Sequence, residues 1–241
     1  MESRFVIELS YNTRYKCMSD SVVDLIAARG IIAICRKIYG ANLIGLANAL
    51  QKGGVKLMEV TFDQSDPDCV SRTSEAIAQL CASFPDMQFG AGTVLTREQV
   101  DAARSAGAGF IISPNTDVDL VRYTKKQGLV SIPGAMTPTE IMSAHDAGAD
   151  YVKLFPANYL GLKYLKDVTA PINHVKLLAT GGISADNLGD FLRAGCRGAG
   201  ISSTLCDKAR ILAGDWDTLT RTARELVSIF NTVAEEKGWQ K

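Results

Sequence analysis

Two ionisable side chains sit in apolar runs where a charge is expensive. Lys153 lies in Asp150-Tyr151-Val152-Lys153-Leu154-Phe155-Pro156-Ala157-Asn158, and Glu59 lies in Lys56-Leu57-Met58-Glu59-Val60-Thr61. An ammonium that loses its hydration and has no partner in its own segment is driven toward the neutral amine. A neutral amine is a nucleophile and condenses with a carbonyl to a Schiff base. A buried carboxyl is costly unless it has a partner or a task, and the task that complements such a lysine is moving protons. Two plainer readings compete: Lys153 snorkels from a strand end, or Glu59 and Lys153 form an ion pair that merely fills an interior.

Strand side chains alternate, so Leu57, Glu59 and Thr61 share one face, as do Tyr151, Lys153 and Phe155. Both charges come late in their runs, at the same end of a parallel sheet. The runs recur along the chain as 31–35, 56–61, 88–92, 109–113, 129–133, 151–154, 175–179 and 198–202, each followed by a helix-period segment. Their spacing, about 20 to 33 residues, is that of a strand plus its returning helix. Lys52-Gly53-Gly54, Ala106-Gly107, Ala147-Gly148 and Ala194-Gly195 read as helix stops. Thr96, Thr137 and Ser184 read as helix caps. A closing helix is expected over 218–236, with Trp239 packed back on the body.

The beginning of the chain, 1–18, is polar and irregular, and Ser19-Asp20-Ser21 caps a leading helix within 19–30 that Gly30 stops. Eight strand–helix units plus that helix predict one domain over 1–241, a (β/α)8 TIM barrel with an extra N-terminal helix. A doubly wound open sheet is the second choice, and it lacks a GxGxxG after the first strand.

The 26 basic and 26 acidic residues cancel, which argues against nucleic acid as a partner. Nothing is apolar enough to span a membrane, and Glu8, Asn12 and Arg14 interrupt any signal-peptide core. Six scattered cysteines without a CxxC pair read as reduced, mostly buried thiols of a cytoplasmic protein. His145 and His174, far apart in sequence, lack metal-ligand spacing, so neither a metal site nor a histidine base is expected.

If the barrel closes, its mouth collects the residues after each strand. Arg36 follows the first strand, and its fork suits a carboxylate. Thr93 follows the third with a hydroxyl donor. Pro114 follows the fourth as a flat apolar wall, and Pro133-Gly134 ends the fifth. Gly181 and Gly182 follow the seventh ahead of a helix, an arrangement suited to an anion.

Taken together, Ile32-Ala33-Ile34-Cys35-Arg36, Met58-Glu59-Val60-Thr61-Phe62, Gly90-Ala91-Gly92-Thr93-Val94, Ile112-Ser113-Pro114-Asn115, Ile132-Pro133-Gly134-Ala135-Met136-Thr137-Pro138-Thr139-Glu140, Val152-Lys153-Leu154-Phe155-Pro156-Ala157 and Ala179-Thr180-Gly181-Gly182-Ile183-Ser184 resemble the class I pyruvate aldolases. These cleave 2-keto-3-deoxy-6-phosphogluconate (KDPG) and 4-hydroxy-2-oxoglutarate (KHG). The resemblance implies a metal-independent lyase with no cofactor that releases pyruvate and an aldehyde, glyceraldehyde 3-phosphate or glyoxylate, from a small keto acid. It implies Lys153 as the Schiff-base lysine and Glu59 as the general acid/base. It further implies Thr93 and Arg36 on the substrate carboxylate, Pro114 and Phe155 as walls of the pyruvyl group, and a homotrimer.

Two places depart from the family pattern. Many KDPG-cleaving members carry an arginine soon after the Glu-Val-Thr motif, where this chain has Phe62-Asp63-Gln64. Where the family commonly has Gly-Ser to meet a phosphate, this chain has Ser202 and Ser203, which gives weight to a carboxylate-bearing substrate such as KHG. The alternatives are a phosphate-barrel epimerase or isomerase, with Glu59 moving protons beside a merely electrostatic Lys153, and a non-catalytic sugar-acid-binding barrel.

Overall fold

Strands that are apolar along their whole length need cover on both faces, and the helical segments between them supply it. The computed structural model describes residues 22–239. Residues 22–29 form helix α1. The chain then alternates β1 (Ile31–Cys35), α2 (Gly40–Lys52), β2 (Leu57–Thr61), α3 (Cys69–Ser83), β3 (Gln88–Gly92), α4 (Arg97–Ser105), β4 (Phe110–Ile112) and α5 (Val118–Lys126). It continues with β5 (Val130–Ile132), β6 (Gly134–Ala135), α6 (Pro138–Asp146), β7 (Val152–Leu154), α7 (Ala157–Thr169), β8 (Leu177–Thr180), α8 (Leu188–Arg193), β9 (Gly198–Ile201), α9 (Lys208–Leu212) and α10 (Trp216–Glu236).

All pairings are parallel, in the order β5-β4-β3-β2-β1-β9-β8-β7-β6. β5 falls within the fifth anticipated strand, and β6 extends it past Pro133, beyond the expected end. Proline has no N–H to give a ladder, but its carbonyl accepts from Lys153 N at 2.9 Å, and Tyr151 N reaches Ser131 O at 3.4 Å. β5 pairs with β4 and β6 pairs with β7, so the ring closes through this broken strand. Among the described residues the nine strands thus amount to the eight expected ones, the fifth being prolonged by β6, in a TIM barrel.

The alternation of faces holds. Ile32, Leu57, Phe110, Ile112, Val130, Ile132, Tyr151 and Leu178 point inward and pack with Val22 and Ile26 of α1, which stops the end where the strands begin. Their neighbours, among them Ala33, Met58, Val60, Ala91, Val152 and Ala199, point outward into the helical layer. Tyr151 Oη donates to Val23 O at 3.3 Å and ties the stopper to the floor. Gly90 leaves room for the Phe110 ring, since a Cβ there would lie 2.3 Å from it.

Several local expectations need adjustment. The polar stretch 1–18 and the Ser19-Asp20-Ser21 cap lie outside the described residues. Thr96 does cap α4, and Thr137 with Glu140 forms a capping box on α6. Ser184 does not cap a helix: it opens a turn, and α8 starts only at Leu188. α10 starts at Trp216, two residues earlier than expected, and Trp239 packs 6.3 Å from the Phe230 ring. The short helix α9 was not anticipated. The seventh anticipated strand, 175–179, is shifted: β8 ends at Thr180, which is buried.

Candidate active site

Inward position and strand end combine at Glu59. Leu57 is part of the barrel floor, so Glu59, two residues on, points into the same interior nearer the mouth. It pairs in register with Ile34 and Gly90 and is 1% exposed. Gly92 makes its space, because a Cβ there would lie 2.5 Å from Glu59 Oε1. Glu59 Oε2 has no hydrogen-bond partner among the described residues. Burial pushes the carboxyl up to about 7, against the opposing pull of Lys153 and Arg36.

Lys153 follows from Tyr151 by the same two-residue step, and it is 6% exposed. Its Nζ lies 4.8 Å from the centre of the Phe155 ring. Burial pulls the amine below the ordinary lysine range; Glu59 opposes this and Arg36 adds to it. The charges of Glu59, Lys153 and Arg36 thus act on one another, and Arg36 is exposed where the first strand ends. Among the described residues no ion pair joins Glu59 to Lys153. That counts against an interior filled by a salt bridge and leaves an amine and a carboxyl each short of a partner.

Other mouth residues divide into those with free polar groups and those already engaged. Asp63, in place of the family's arginine, is 2.8 Å from Lys37 Nζ and accepts from Ser65, so its carboxyl is held below the usual range. Pro114 is half-buried; its carbonyl would be 2.3 Å from a Cβ on Gly134, so Gly134 lets the two strand ends close together. Gly181 and Gly182 both take left-handed conformations, with φ of 95° and 74°. Their carbonyls accept from Asn158 N at 3.0 Å and Asn187 Nδ2 at 2.9 Å. The helix expected directly after this turn is six residues long and starts at Leu188, so any anion would meet loop amides there, not a helix end. Ser202 donates its hydroxyl to Ile34 O at 3.3 Å, while Ser203 is exposed.

Thr93 has φ of 56°, an unusual conformation for a β-branched residue. Its carbonyl accepts from Gln64 Nε2 at 2.8 Å, and Gln64 Oε1 accepts from Gln99 Nε2 at 3.0 Å. Sequence reading singled out neither glutamine as functional. Only the capping position of Gln99 hinted at a role, and a surface reading of Gln64 is natural from its neighbours. Asn158 and Asn187 were missed for the same reason.

The remaining nucleophiles and ligands lie elsewhere. Burial raises the thiols of Cys35 and Cys196 to about 12, so both stay protonated. His145 and His174, distant in sequence, come into edge contact with ring centres 5.0 Å apart. They precede β7 and β8 and so lie away from the mouth. Among the described residues no group of three or more His, Cys, Asp or Glu is arranged for a metal, and no helix is long and apolar enough to cross a membrane.

Comparison with known proteins identifies the family. Residues 23–222 match the family described as KDPG and KHG aldolase. The 2-dehydro-3-deoxy-phosphogluconate aldolase of Haemophilus influenzae is 30% identical over 222 residues, 92% of this chain and 99% of its own. The KHG/KDPG aldolase of Escherichia coli K12 is 36% identical over 204 residues, 81% and 89% of the two chains. Among solved structures, a KDPG aldolase from Legionella pneumophila, with pyruvate captured as a covalent carbinolamine intermediate, superposes with a TM-score of 0.76. It is 29% identical, over 85% of this chain and 97% of its own.

Proposed function

The chain belongs to the KDPG and KHG aldolase family, and from that premise we propose that it is a class I aldolase, a lyase that splits a 2-keto-4-hydroxy acid to pyruvate and an aldehyde through a Schiff base on Lys153. The observation that carries this reading is a buried amine and a buried carboxyl facing one barrel mouth without pairing to each other.

Lys153 Nζ adds to the C2 carbonyl of the keto acid. Loss of water from the carbinolamine leaves a protonated imine, a sink for electrons. Glu59 removes the C4 hydroxyl proton; the C3–C4 bond breaks, its electron pair moves toward the iminium, and an aldehyde departs. Glu59 returns the proton to C3 of the enamine, and water then releases pyruvate and restores the amine. A carboxyl raised to about 7 suits both halves of that task, because it accepts and donates near neutral pH.

Arg36 and Thr93 hold the C1 carboxylate in this reading, and Pro114 and Phe155 flank the pyruvyl methylene. The loop at Gly181 and Gly182, with Ser203, receives the far end of the substrate. That far end is the phosphate of KDPG, giving glyceraldehyde 3-phosphate, or the second carboxylate of KHG, giving glyoxylate. The engaged hydroxyl of Ser202 favours the smaller anion. A homotrimer and a cytoplasmic setting, which suits the buried thiols of Cys35, Cys69 and Cys196, complete the proposal.

The test is borohydride reduction in the presence of pyruvate. A three-carbon adduct on Lys153 is expected by mass spectrometry of the digested protein, and its absence overturns the reading. Cleavage rates on KDPG, its galactonate epimer and KHG, measured side by side, then assign the aldehyde.

A further inference from the structure

Thr93 stands in a left-handed conformation, φ 56°, that a β-branched residue keeps only where its surroundings impose it. The surroundings here are two amides in series. Gln99 is 4% exposed, and its Oε1 accepts from Leu95 N at 2.7 Å. Its Nε2 donates to Gln64 Oε1 at 3.0 Å, and Gln64 Nε2 donates to Thr93 O at 2.8 Å. Each amide therefore presents its oxygen to one neighbour and its nitrogen to the next, which fixes both flips. The relay bridges the loop after β2 to the loop after β3 and the first turn of α4. It holds the backbone that leaves Thr93 at two points, the carbonyl of Thr93 itself and the amide of Leu95. The Thr93 hydroxyl has no protein partner among the described residues, so it is free for a ligand.

We infer that Gln64 and Gln99 are positioning residues that hold Thr93 in its strained conformation, so that its hydroxyl meets the substrate carboxylate. This rests on the aldolase reading and on Thr93 as a carboxylate contact. It also gives a physical role to the stretch where this chain departs from its family. Asp63 is neutralised by Lys37, and the next residue, Gln64, supplies order to the third strand end in place of direct charge.

The experiment uses the whole enzyme, pyruvate and borohydride. Gln64 is exposed, so Gln64→Met removes the relay with little threat to folding; Gln64→Glu keeps the acceptor for Gln99 and loses only the donor to Thr93. Both variants are expected to need about tenfold more pyruvate for half-maximal trapping on Lys153, with kcat for cleavage changed by less than about threefold. In a Thr93→Ala background the same substitutions are expected to add less than about twofold. A lower melting temperature with an unchanged pyruvate requirement in both variants overturns the inference, as does full additivity with Thr93→Ala. Trapping in the native enzyme with no change in the variants removes the relay alone, whereas no trapping in the native enzyme removes the aldolase reading and the relay with it.

Discussion

Where the strands begin, Ile32, Leu57, Phe110, Val130 and Tyr151 meet Val22 and Ile26 with no charge among them. Where β2, β7 and β8 end, the inward positions two residues along carry Glu59, Lys153 and Thr180, while β1, β4 and β5 carry Ile34, Ile112 and Ile132. Leu57 gives way to Glu59, Tyr151 to Lys153 and Leu178 to Thr180. The two ends share strands, register and burial, so the difference lies in what each side chain loses on leaving water. At the floor, apolar burial is favourable at about 25 cal/mol per Å². At the mouth, burial is unfavourable for both charged forms, and that penalty shifts the carboxyl and the amine toward their neutral states. One end holds the barrel together and the other spends part of that stability on reactivity.

The sharpest way to break this contrast is to make the mouth resemble the floor. Lys153→Met is expected to lower cleavage by at least about 10³-fold and abolish borohydride trapping. The same variant should melt higher than wild type near neutral pH. A lysine whose folded pKa is depressed loses stability as pH falls through that value, and methionine has no such term. Glu59 stays tolerable in that variant because it protonates more readily without the amine. A lower melting temperature for Lys153→Met would show that the amine supports the fold.

Glu59→Gln is the next largest, with a loss of about 10²–10⁴-fold in proton exchange at the pyruvate methyl group. Wild-type exchange should rise with pH and level off above about 7, where the carboxyl is ionised, and the variant should lack that limb. Stability gives an independent sign. A carboxyl raised from 4.5 to about 7 favours the folded state at low pH and loses that advantage as pH rises through this range. Chemical denaturation between pH 4 and 8 should therefore show wild type weakening relative to Glu59→Gln. The apparent midpoint belongs to the coupled site, Lys153 and Arg36 included.

Much of this contrast is readable before any coordinates. Period-two alternation around Leu57-Glu59-Thr61 and Tyr151-Lys153-Phe155 gives the inward direction of both charges, because a strand leaves only two choices of face. The family motifs then place the rim residues Arg36, Thr93, Pro114 and Gly181. What escapes is set by contacts that no local pattern encodes. The Gln64 bond to Thr93 spans 29 residues and the Gln99 bond to Gln64 spans 35, and glutamine has no strong preference that flags either. The contact between His145 and His174 arises only when consecutive units stack. The break of the fifth strand at Pro133 and the late start of α8 are local, yet they depend on how the ring closes and on the Asn187 bond to Gly182.

At the floor the same tests should give the opposite pattern. Ile26→Ala removes a fully buried side chain from the stopper helix and is expected to cost about 2–4 kcal/mol of stability, read from denaturant midpoints. Cleavage per folded molecule should stay within about twofold of wild type, since no mouth residue touches that position. A fall in kcat without a fall in stability would mean that the two ends are coupled.

The smallest change tests whether the hydroxyl contact at the floor is structural. Tyr151→Phe keeps the ring under Lys176 and deletes the hydroxyl bonded to Val23 O, at a cost of about 0.5–1.5 kcal/mol at pH 8. Burial raises the phenol to about 12 in the folded protein, while in the unfolded chain it ionises nearer 10. Stability tied to the protonated phenol is therefore intact below about pH 10 and is lost as pH rises toward 12. Wild type should exceed Tyr151→Phe in stability at pH 8, and the gap should narrow and then reverse on the alkaline side. Trapping of pyruvate on Lys153 should be the same in both proteins, although residues 151 and 153 point to the same face two positions apart. If Tyr151→Phe instead shifts the pH at which Lys153 is trapped, the polar contact at the floor feeds the amine two residues above it, and the separation of stability from reactivity along this strand fails.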